Sequence, residues 1–184
     1  MYSPHLGIVK NQLLSKIVLP EKLCCIDVDP LGDYCAGGTA SGRLYLWEAS
    51  LPSVLRNMCD DVFIQIASGI LFNSFEAHYR RLSVLRFTRD GAGLVSVSDD
   101  SGVNVWSMSR SFRCYFDTKG PRDAHIPLRL LDEDLQTEVP TPYCSFSEHT
   151  LPVTDVLCGI GAFTTCRIFT SSIDHSVKVN IPSQ

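Results

Sequence analysis

The sequence predicts an all-β chain built from repeated antiparallel sheets. Short runs of residues alternate between apolar and polar side chains, which is the period of a half-buried strand. Turn pairs such as Asp90-Gly91 and Ser101-Gly102 separate these runs at short intervals. A set of one His, one Ser or Thr, one Asp and one Trp also recurs along the chain. Together these features indicate several hairpin-rich units of one type.

The stretch 78–106 is the clearest copy of this unit. Its apolar runs alternate with period two and are interrupted by two tight turns rich in Asp, Ser and Gly. Strands are predicted over 82–87, 94–98 and 103–106, with turns at 89–93 and 99–102.

Four polar or aromatic residues in this copy, His78, Ser96, Asp100 and Trp106, are expected to form a hydrogen-bonded chain. The indole can donate to the serine hydroxyl, the hydroxyl to one imidazole nitrogen, and the other ring nitrogen can face the carboxylate. Each buried polar group then has a partner, which avoids a penalty of about 1–3 kcal/mol for each unsatisfied group. The set is therefore interpreted as structural.

Ser96, His78 and Asp100 are also the residue types of an acyl-transfer triad. A nucleophilic serine normally lies on a strained turn within a Gly-x-Ser-x-Gly sequence, next to an oxyanion hole. Ser96 instead lies within a predicted strand, between Val95 and Val97. The sequence favours a non-catalytic protein, and a Ser/His/Asp hydrolase is the alternative from another class.

The first copy precedes this stretch and lacks most of the polar set. Trp47 corresponds to Trp106, but Gly37 occupies the serine position, Ser41 the aspartate position, and no His lies near Pro20. This unit is expected to depend on apolar packing alone. Its strands are predicted over 13–19, 23–28, 34–38, 43–47 and 70–75.

The third copy runs from His149 towards the end of the chain. His149, Thr170 and Asp174 match the polar set, whereas Asn180 stands where Trp is expected. Pro182 lacks the N–H that a strand needs, so the last strand is expected to end before it. Strands are predicted over 153–158, 167–172 and 177–179.

Composition limits the classes of function. The net charge is −4 and the pI about 5.7, which argues against autonomous nucleic-acid binding. The basic residues Arg80, Arg81, Arg86 and Arg89 are interpreted as a solvated sheet edge, with RNA contact as the alternative. The sequence contains no run of 18 apolar residues, so no membrane span is predicted. The first residues lack the apolar core of a secretion signal. The 8 cysteines include no C-x-x-C pair, so reduced cysteines, no metal site and no cofactor are expected.

Two segments interrupt the repeat. The spacings from Trp47 to Trp106 and from Trp106 to Asn180 both exceed the roughly 40–45 residues of such a unit. An insert over about 49–65 accounts for the excess in the first spacing, and an insert over about 111–129 accounts for part of the excess in the second. They are interpreted as retained intron sequence, with surface loops as the alternative.

The recurring His, Ser or Thr, Asp and Trp pattern resembles WD repeats, each of which forms one blade of a β-propeller. The order of the blocks is similar to the WD-repeat pre-rRNA-processing subunit of the Ipi type. The most specific blocks are HTLPVTD over 149–155 and CGIG over 158–161. The resemblance implies a partial, unclosed propeller over residues 1–184, about three blades of a seven-blade ring, with blades over about 13–75, 78–146 and 149–180.

This resemblance further implies a nuclear scaffold of a Rix-type complex in large ribosomal subunit biogenesis. Its implied partners are the other Rix-type subunits, the pre-ribosomal particle and the AAA ATPase midasin. Its implied roles are processing of the second internal transcribed spacer and, in fungal members, replication licensing. No short motif identifies partner-binding residues, and a generic WD-repeat adaptor in another pathway is the alternative.

Three blades without a closed ring are expected to leave two apolar faces open. Each blade contacts only its neighbours, and closed rings contain about 4–8 blades. Open faces of that kind predict that the isolated chain aggregates, self-associates or is degraded.

Overall fold

The computed structural model describes residues 18–48, 71–108 and 140–183. Within these ranges the chain forms three antiparallel sheets, so the predicted all-β fold is confirmed. No helix in them is long and apolar enough to cross a bilayer. The strands are β1 Leu23–Val28, β2 Tyr34–Thr39, β3 Arg43–Glu48, β4 Leu71–Glu76, β5 Leu82–Phe87, β6 Gly93–Ser98, β7 Val103–Ser107, β8 Cys144–Phe146, β9 Val153–Cys158, β10 Ile168–Ser172 and β11 Val177–Asn180.

Each sheet is a simple meander of hairpins. The first sheet has the order β1-β2-β3-β4, the second β5-β6-β7-β8, and the third β9-β10-β11. Within each sheet, neighbours in sequence are therefore neighbours in space. The Asp29 carboxylate fixes the first turn, because it accepts hydrogen bonds from the backbone N–H groups of Leu31 at 3.1 Å and Tyr34 at 2.7 Å.

The three sheets pack face to face in chain order, and the core lies between them. The first core joins the first and second sheets and contains Ala36, Leu44, Leu46, Phe75, Ala77, Leu82, Leu85, Phe87, Leu94, Trp106 and Met108. The second core joins the second and third sheets and contains Val95, Val97, Val103, Val105, Val153, Val156, Phe163, Cys166 and Ile168.

Two carboxylates connect neighbouring sheets across these cores. Asp27 of β1 accepts a hydrogen bond from the backbone N–H of Phe87 in β5 at 2.7 Å. Asp90, in the turn after β5, accepts one from the backbone N–H of Phe163 in the third unit, also at 2.7 Å. Because a buried backbone N–H is costly without an acceptor, these bonds favour one relative position of the sheets.

Most of the predicted strands agree with the structure to within one residue. β11 extends one residue further than predicted, because Asn180 still pairs with Ile168. The predicted outer strand over 13–19 is not seen at Val18 and Leu19, and its remaining residues lie outside the described ranges. The predicted inserts, 49–65 and 111–129, also lie outside them.

Two turn glycines with left-handed backbone provide a test of the packing between loops. Gly32 has φ +76° and open space where a Cβ would lie, whereas a Cβ on Gly42, at φ +91°, would lie 2.0 Å from the backbone oxygen of His78. We expect Gly32→Ala to lower the free energy of unfolding by about 1–2 kcal/mol, through backbone strain alone. Gly42→Ala should lower it by roughly 3 kcal/mol or more, since the backbone around His78 must also move. Urea unfolding of both variants measures the difference, and equal losses would contradict the close approach of the two loops.

Candidate functional site

The polar set of the second sheet forms one continuous chain of contacts. His78 precedes β5, Ser96 lies in the middle of β6, and Trp106 lies in β7. Trp106 Nε1 donates to Ser96 Oγ at 2.9 Å, and the same oxygen lies 2.8 Å from His78 Nε2. His78 Nδ1 lies 3.0 Å from Asp100 Oδ2 in the β6–β7 turn. Strand pairing thus brings together side chains from two strands, a turn and the loop before β5.

The chemistry of these groups defines where the protons lie. An indole nitrogen can only donate, so the Ser96 hydroxyl proton remains available for His78 Nε2. His78 Nδ1 then carries the ring proton and donates it to the Asp100 carboxylate. This one arrangement gives a partner to every donor and acceptor that links these four side chains.

Asp100 connects this hydrogen-bonded set of side chains to the backbone of two loops. Its carboxylate accepts hydrogen bonds from the backbone N–H groups of Gly102 at 2.8 Å and Tyr79 at 3.3 Å. Burial of the carboxyl raises its pKa, but the hydrogen bond and the charge interaction with His78 and the two backbone bonds outweigh burial and lower the pKa below the ordinary value. The folded state therefore stabilises the ionised carboxylate.

The third sheet holds a similar but shorter chain. His149 Nε2 lies 2.9 Å from Thr170 Oγ1, and His149 Nδ1 lies 2.8 Å from Asp174 Oδ2. The Ser176 hydroxyl donates to Asp174 Oδ1 at 2.6 Å, and this bond is the main cause of the lowered pKa of Asp174. Asn180, in the place of the indole, instead donates to the Glu148 side chain at 3.3 Å.

In the first sheet, apolar groups replace the buried polar chain. Gly37 occupies the serine position, and a Cβ there would lie 2.9 Å from the Leu23 side chain and 3.0 Å from Trp47. Leu19 packs against a buried cluster that contains Trp47 and Tyr45. The missing imidazole and hydroxyl are thus replaced by close packing.

Packing is not the only support of this sheet, however, and the expectation that it would be is wrong. Glu21 accepts hydrogen bonds from the hydroxyls of Ser41 at 2.5 Å and Tyr45 at 3.5 Å. Its carboxylate also forms an ion pair with Arg43 at 3.5 Å. The alternation of Ser41, in the turn before β3, with Arg43 and Tyr45 in β3 is a signal for such a contact. Nothing in the sequence points to Glu21 as their partner.

The distances from Ser96 to His78 and from His78 to Asp100 equal those of a serine-hydrolase triad, but the position of Ser96 differs. Its side chain is fully buried, with 0% of the residue exposed. Its oxygen already accepts the Trp106 indole N–H. A substrate carbonyl has no access to this hydroxyl, so the arrangement stabilises the sheet and offers no nucleophile.

Among the residues that the structure describes, other reactive groups do not converge on a site. Burial raises the pKa of the Cys25 thiol to about 11 and that of the Cys158 thiol to about 12, so both are protonated at neutral pH. Across the described ranges, no group of three or more His, Cys, Asp or Glu side chains is arranged to hold a metal ion.

The basic residues do not form a single cluster. Arg80 and Arg81 precede β5, whereas Arg89 follows it, and all three are exposed. A six-residue strand separates the two ends by roughly 20 Å. Arg86 lies between them, half-buried, and donates to the backbone oxygen of Leu85 at 3.1 Å. The arrangement fits solvated strand ends better than one phosphate-binding surface.

An open groove lies on the surface next to the polar side chains of the second sheet, His78 and Asp100. It has a volume of about 470 Å³ and lies between the loop around His78 and residues of β7 and β8. Its lining includes Glu76, Tyr79, Asn104, Ser145, Phe146 and Ser147. The groove is a concave surface that can accept a protruding group from a partner.

Comparisons with known sequences point to WD-repeat proteins. The WD40 family, described as WD domain, G-beta repeat, matches residues 69–107. The pre-rRNA-processing protein IPI3 of Mycosarcoma maydis is 36% identical over 92% of this chain and 24% of its own length. The protein of the same name from Yarrowia lipolytica is 34% identical over 89% of this chain and 29% of its own. WD repeat-containing protein 18 of Rattus norvegicus is 31% identical over 92% of this chain and 30% of its own length. The chain therefore spans about a quarter to a third of these relatives.

Solved structures show the same fold at low sequence identity. The β-propeller domain of Cps50 (Swd1) from Myceliophteria_thermophila aligns with a TM-score of 0.58 and 13% identity, covering 94% of this chain and 39% of that one. The WD40 repeats of RRP9 align with a TM-score of 0.57 and 13% identity, covering 89% and 36%. The three sheets are thus consecutive blades of an unclosed WD-repeat propeller.

Removing the Ser96 oxygen tests whether the polar chain is structural. Ser96→Ala leaves the Trp106 indole N–H and a His78 ring nitrogen buried without a partner, so the free energy of unfolding should fall by about 1–3 kcal/mol. Ser145→Ala, at an exposed position in β8, should change it by no more than about 0.5 kcal/mol. A serine-directed fluorophosphonate probe should not label the folded chain, and labelling lost in S96A would contradict a purely structural role.

The lowered pKa of Asp100 predicts a pH-dependent contribution to stability. A carboxyl whose pKa is lower in the folded than in the unfolded chain stabilises the fold at pH values above its ordinary pKa of 3.8. This contribution disappears as the pH falls through the folded pKa. We therefore expect Asp100→Asn to be less stable than the unmodified chain at neutral pH, with the difference shrinking below about pH 4. Urea unfolding over a pH series measures this. Asp155→Asn, which removes one charge at an exposed position, should follow the unmodified chain, and a constant D100N difference down to about pH 2 would contradict the assignment.

Proposed function

We propose that this chain, a WD-repeat protein related to the pre-rRNA-processing proteins of the Ipi type, is a non-catalytic scaffold in the biogenesis of the large ribosomal subunit. The observation that carries the proposal is the 36% identity to a pre-rRNA-processing protein across 92% of the chain. The similarity runs through all three blades and is not confined to the matched repeat at 69–107. A single generic WD repeat would not produce a match of that length.

The polar side chains that could have served chemistry support the scaffold role. Ser96 and Thr170 are 0% and 2% exposed, and the imidazoles that contact them are also buried. Their hydrogen-bonding capacity is used within the sheets. The groups left for contact with other molecules lie on loops and strand edges, as is usual for propeller proteins that bind partners.

The proposed partners are the other subunits of a Rix-type complex, the pre-ribosomal particle and the AAA ATPase midasin. The proposed location is the nucleus, where large-subunit precursors are assembled, and the proposed step is removal of the second internal transcribed spacer. A net charge of −4 supports binding to protein surfaces over autonomous binding to RNA. The groove beside Tyr79 and Phe146 is a suitable contact surface, because it combines the exposed ring of Tyr79 with polar edges.

Affinity purification from the cells that produce the protein tests this proposal. A tagged protein expressed from its own locus should co-purify large-subunit precursor particles and precursor RNA that contains the second internal transcribed spacer. Depletion of the protein should raise the amount of that precursor, as measured by hybridisation with a spacer probe. A tagged WD-repeat protein from an unrelated complex is the control bait.

Equal recovery of precursor RNA with both baits, together with unchanged precursor levels on depletion, would overturn the proposal. In that case the proteins that co-purify would identify the pathway of a WD-repeat adaptor instead.

A further inference from the structure

The aromatic ring of Tyr79 is exposed although the fold does not require an aromatic residue there. Tyr79 lies in the loop between β4 and β5 and is 78% exposed. Its backbone N–H donates to Asp100 Oδ2 at 3.3 Å. The third sheet forms the same bond with Thr150, whose backbone N–H donates to Asp174 Oδ2 at 3.2 Å. Because a threonine serves this loop equally well, the ring of Tyr79 is available for another contact.

The ring is also held in one position. The Tyr79 hydroxyl donates to the backbone oxygen of Asp100 at 3.3 Å, so both the backbone and the tip of the side chain are attached to the same turn. A side chain that is fixed before binding loses little conformational freedom when a partner contacts it. Tyr79 lines the groove of about 470 Å³, which makes it a preformed aromatic wall of that groove.

The charge of the groove favours a cationic occupant. Among the described residues that line it, two carry carboxylates, Glu76 and Asp100, and none is Lys or Arg. The side chain of Glu76 is 80% exposed. Its nearest cation, Arg43, lies 3.6 Å away but also contacts the Glu21 carboxylate at 3.5 Å, so one positive charge is shared between two negative ones. A positive charge from a partner would therefore meet an uncompensated negative potential.

We propose that the groove binds an arginine side chain in a basic peptide segment of a protein partner, with the guanidinium stacked on the Tyr79 ring and paired with Glu76. A guanidinium is planar, stacks on aromatic rings and is more weakly hydrated than an ammonium group. The exposed residues Ser145 and Ser147 line the same groove and offer hydroxyls to the backbone of the segment. The inference rests on the proposed scaffold role and adds the chemistry of one of its contacts.

Fluorescence anisotropy with labelled peptides of seven residues tests this binding mode on the purified protein. One peptide contains three arginines among glycines and serines, and the matched peptide contains three glutamates instead. The arginine peptide should bind more tightly. Tyr79→Ala should weaken its binding about 3–10-fold, and Tyr79→Phe, which keeps the ring, should restore most of that loss.

A second pair of variants separates the groove from the general charge of the protein. Glu76→Gln should weaken binding of the arginine peptide about 2–5-fold, because the ion pair with the guanidinium is lost. Asp155→Asn removes the same charge at an exposed position that does not line the groove, and should leave the affinity unchanged. Circular dichroism of each variant checks that the sheets are formed.

Three outcomes would overturn the inference. They are equal or tighter binding of the glutamate peptide, which the nearby Arg80 and Arg81 would attract, an E76Q affinity equal to that of D155N, and an unchanged affinity in Y79A. Each can occur while the tagged protein still recovers precursor RNA, in which case the groove assignment fails and the proposed function stands. Loss of precursor recovery with intact arginine binding would instead remove the proposed function alone.

Discussion

A β-sheet with apolar residues on both faces is stable in water only when a neighbour covers each face, and this constraint determines the structure of the chain. The second sheet satisfies it fully. Leu85 packs towards the first sheet and Val105 towards the third, and both are 0% exposed. Because burial of apolar surface is the main stabilising contribution in folding, the second sheet is the best stabilised of the three and the outer two depend on it.

The buried polar chains have a different role, since they determine how the loops lie on the sheets. In the second sheet, the His78 imidazole joins the loop before β5 to the β6–β7 turn through Asp100. Trp106 completes this chain and also packs edge-on against Phe75 of the first sheet, with 5.0 Å between ring centroids. The indole therefore links the polar chain within one sheet to the apolar core between two sheets. The third sheet lacks that link, because Asn180 is turned to Glu148 at its surface.

The strands and the members of the polar set could be predicted because they depend on local patterns. Period-two alternation specifies which side chains share a face, and tight turns between strands leave few alternatives for pairing. The cross-sheet bonds of Asp27 and Asp90 could not be predicted in this way. The two carboxylates accept from backbone N–H groups that are 60 and 73 residues away in sequence. Because nearly every residue carries a backbone N–H, the sequence does not indicate which one will be the donor. The role of Glu21 could not be predicted for a related reason, because a glutamate before a strand normally faces solvent.

The contrast between Ser96 and a catalytic serine shows why distances alone do not define an active site. The hydroxyl, imidazole and carboxylate are arranged as in a hydrolase, within 2.8–3.0 Å of one another. Catalysis also needs an approach path and donors for a developing oxyanion, and a strand between two packed sheets provides neither. The indole N–H that reaches Ser96 Oγ stabilises the resting hydroxyl, whereas an oxyanion hole must stabilise charge on a substrate oxygen. The same three residue types therefore hold two loops together here.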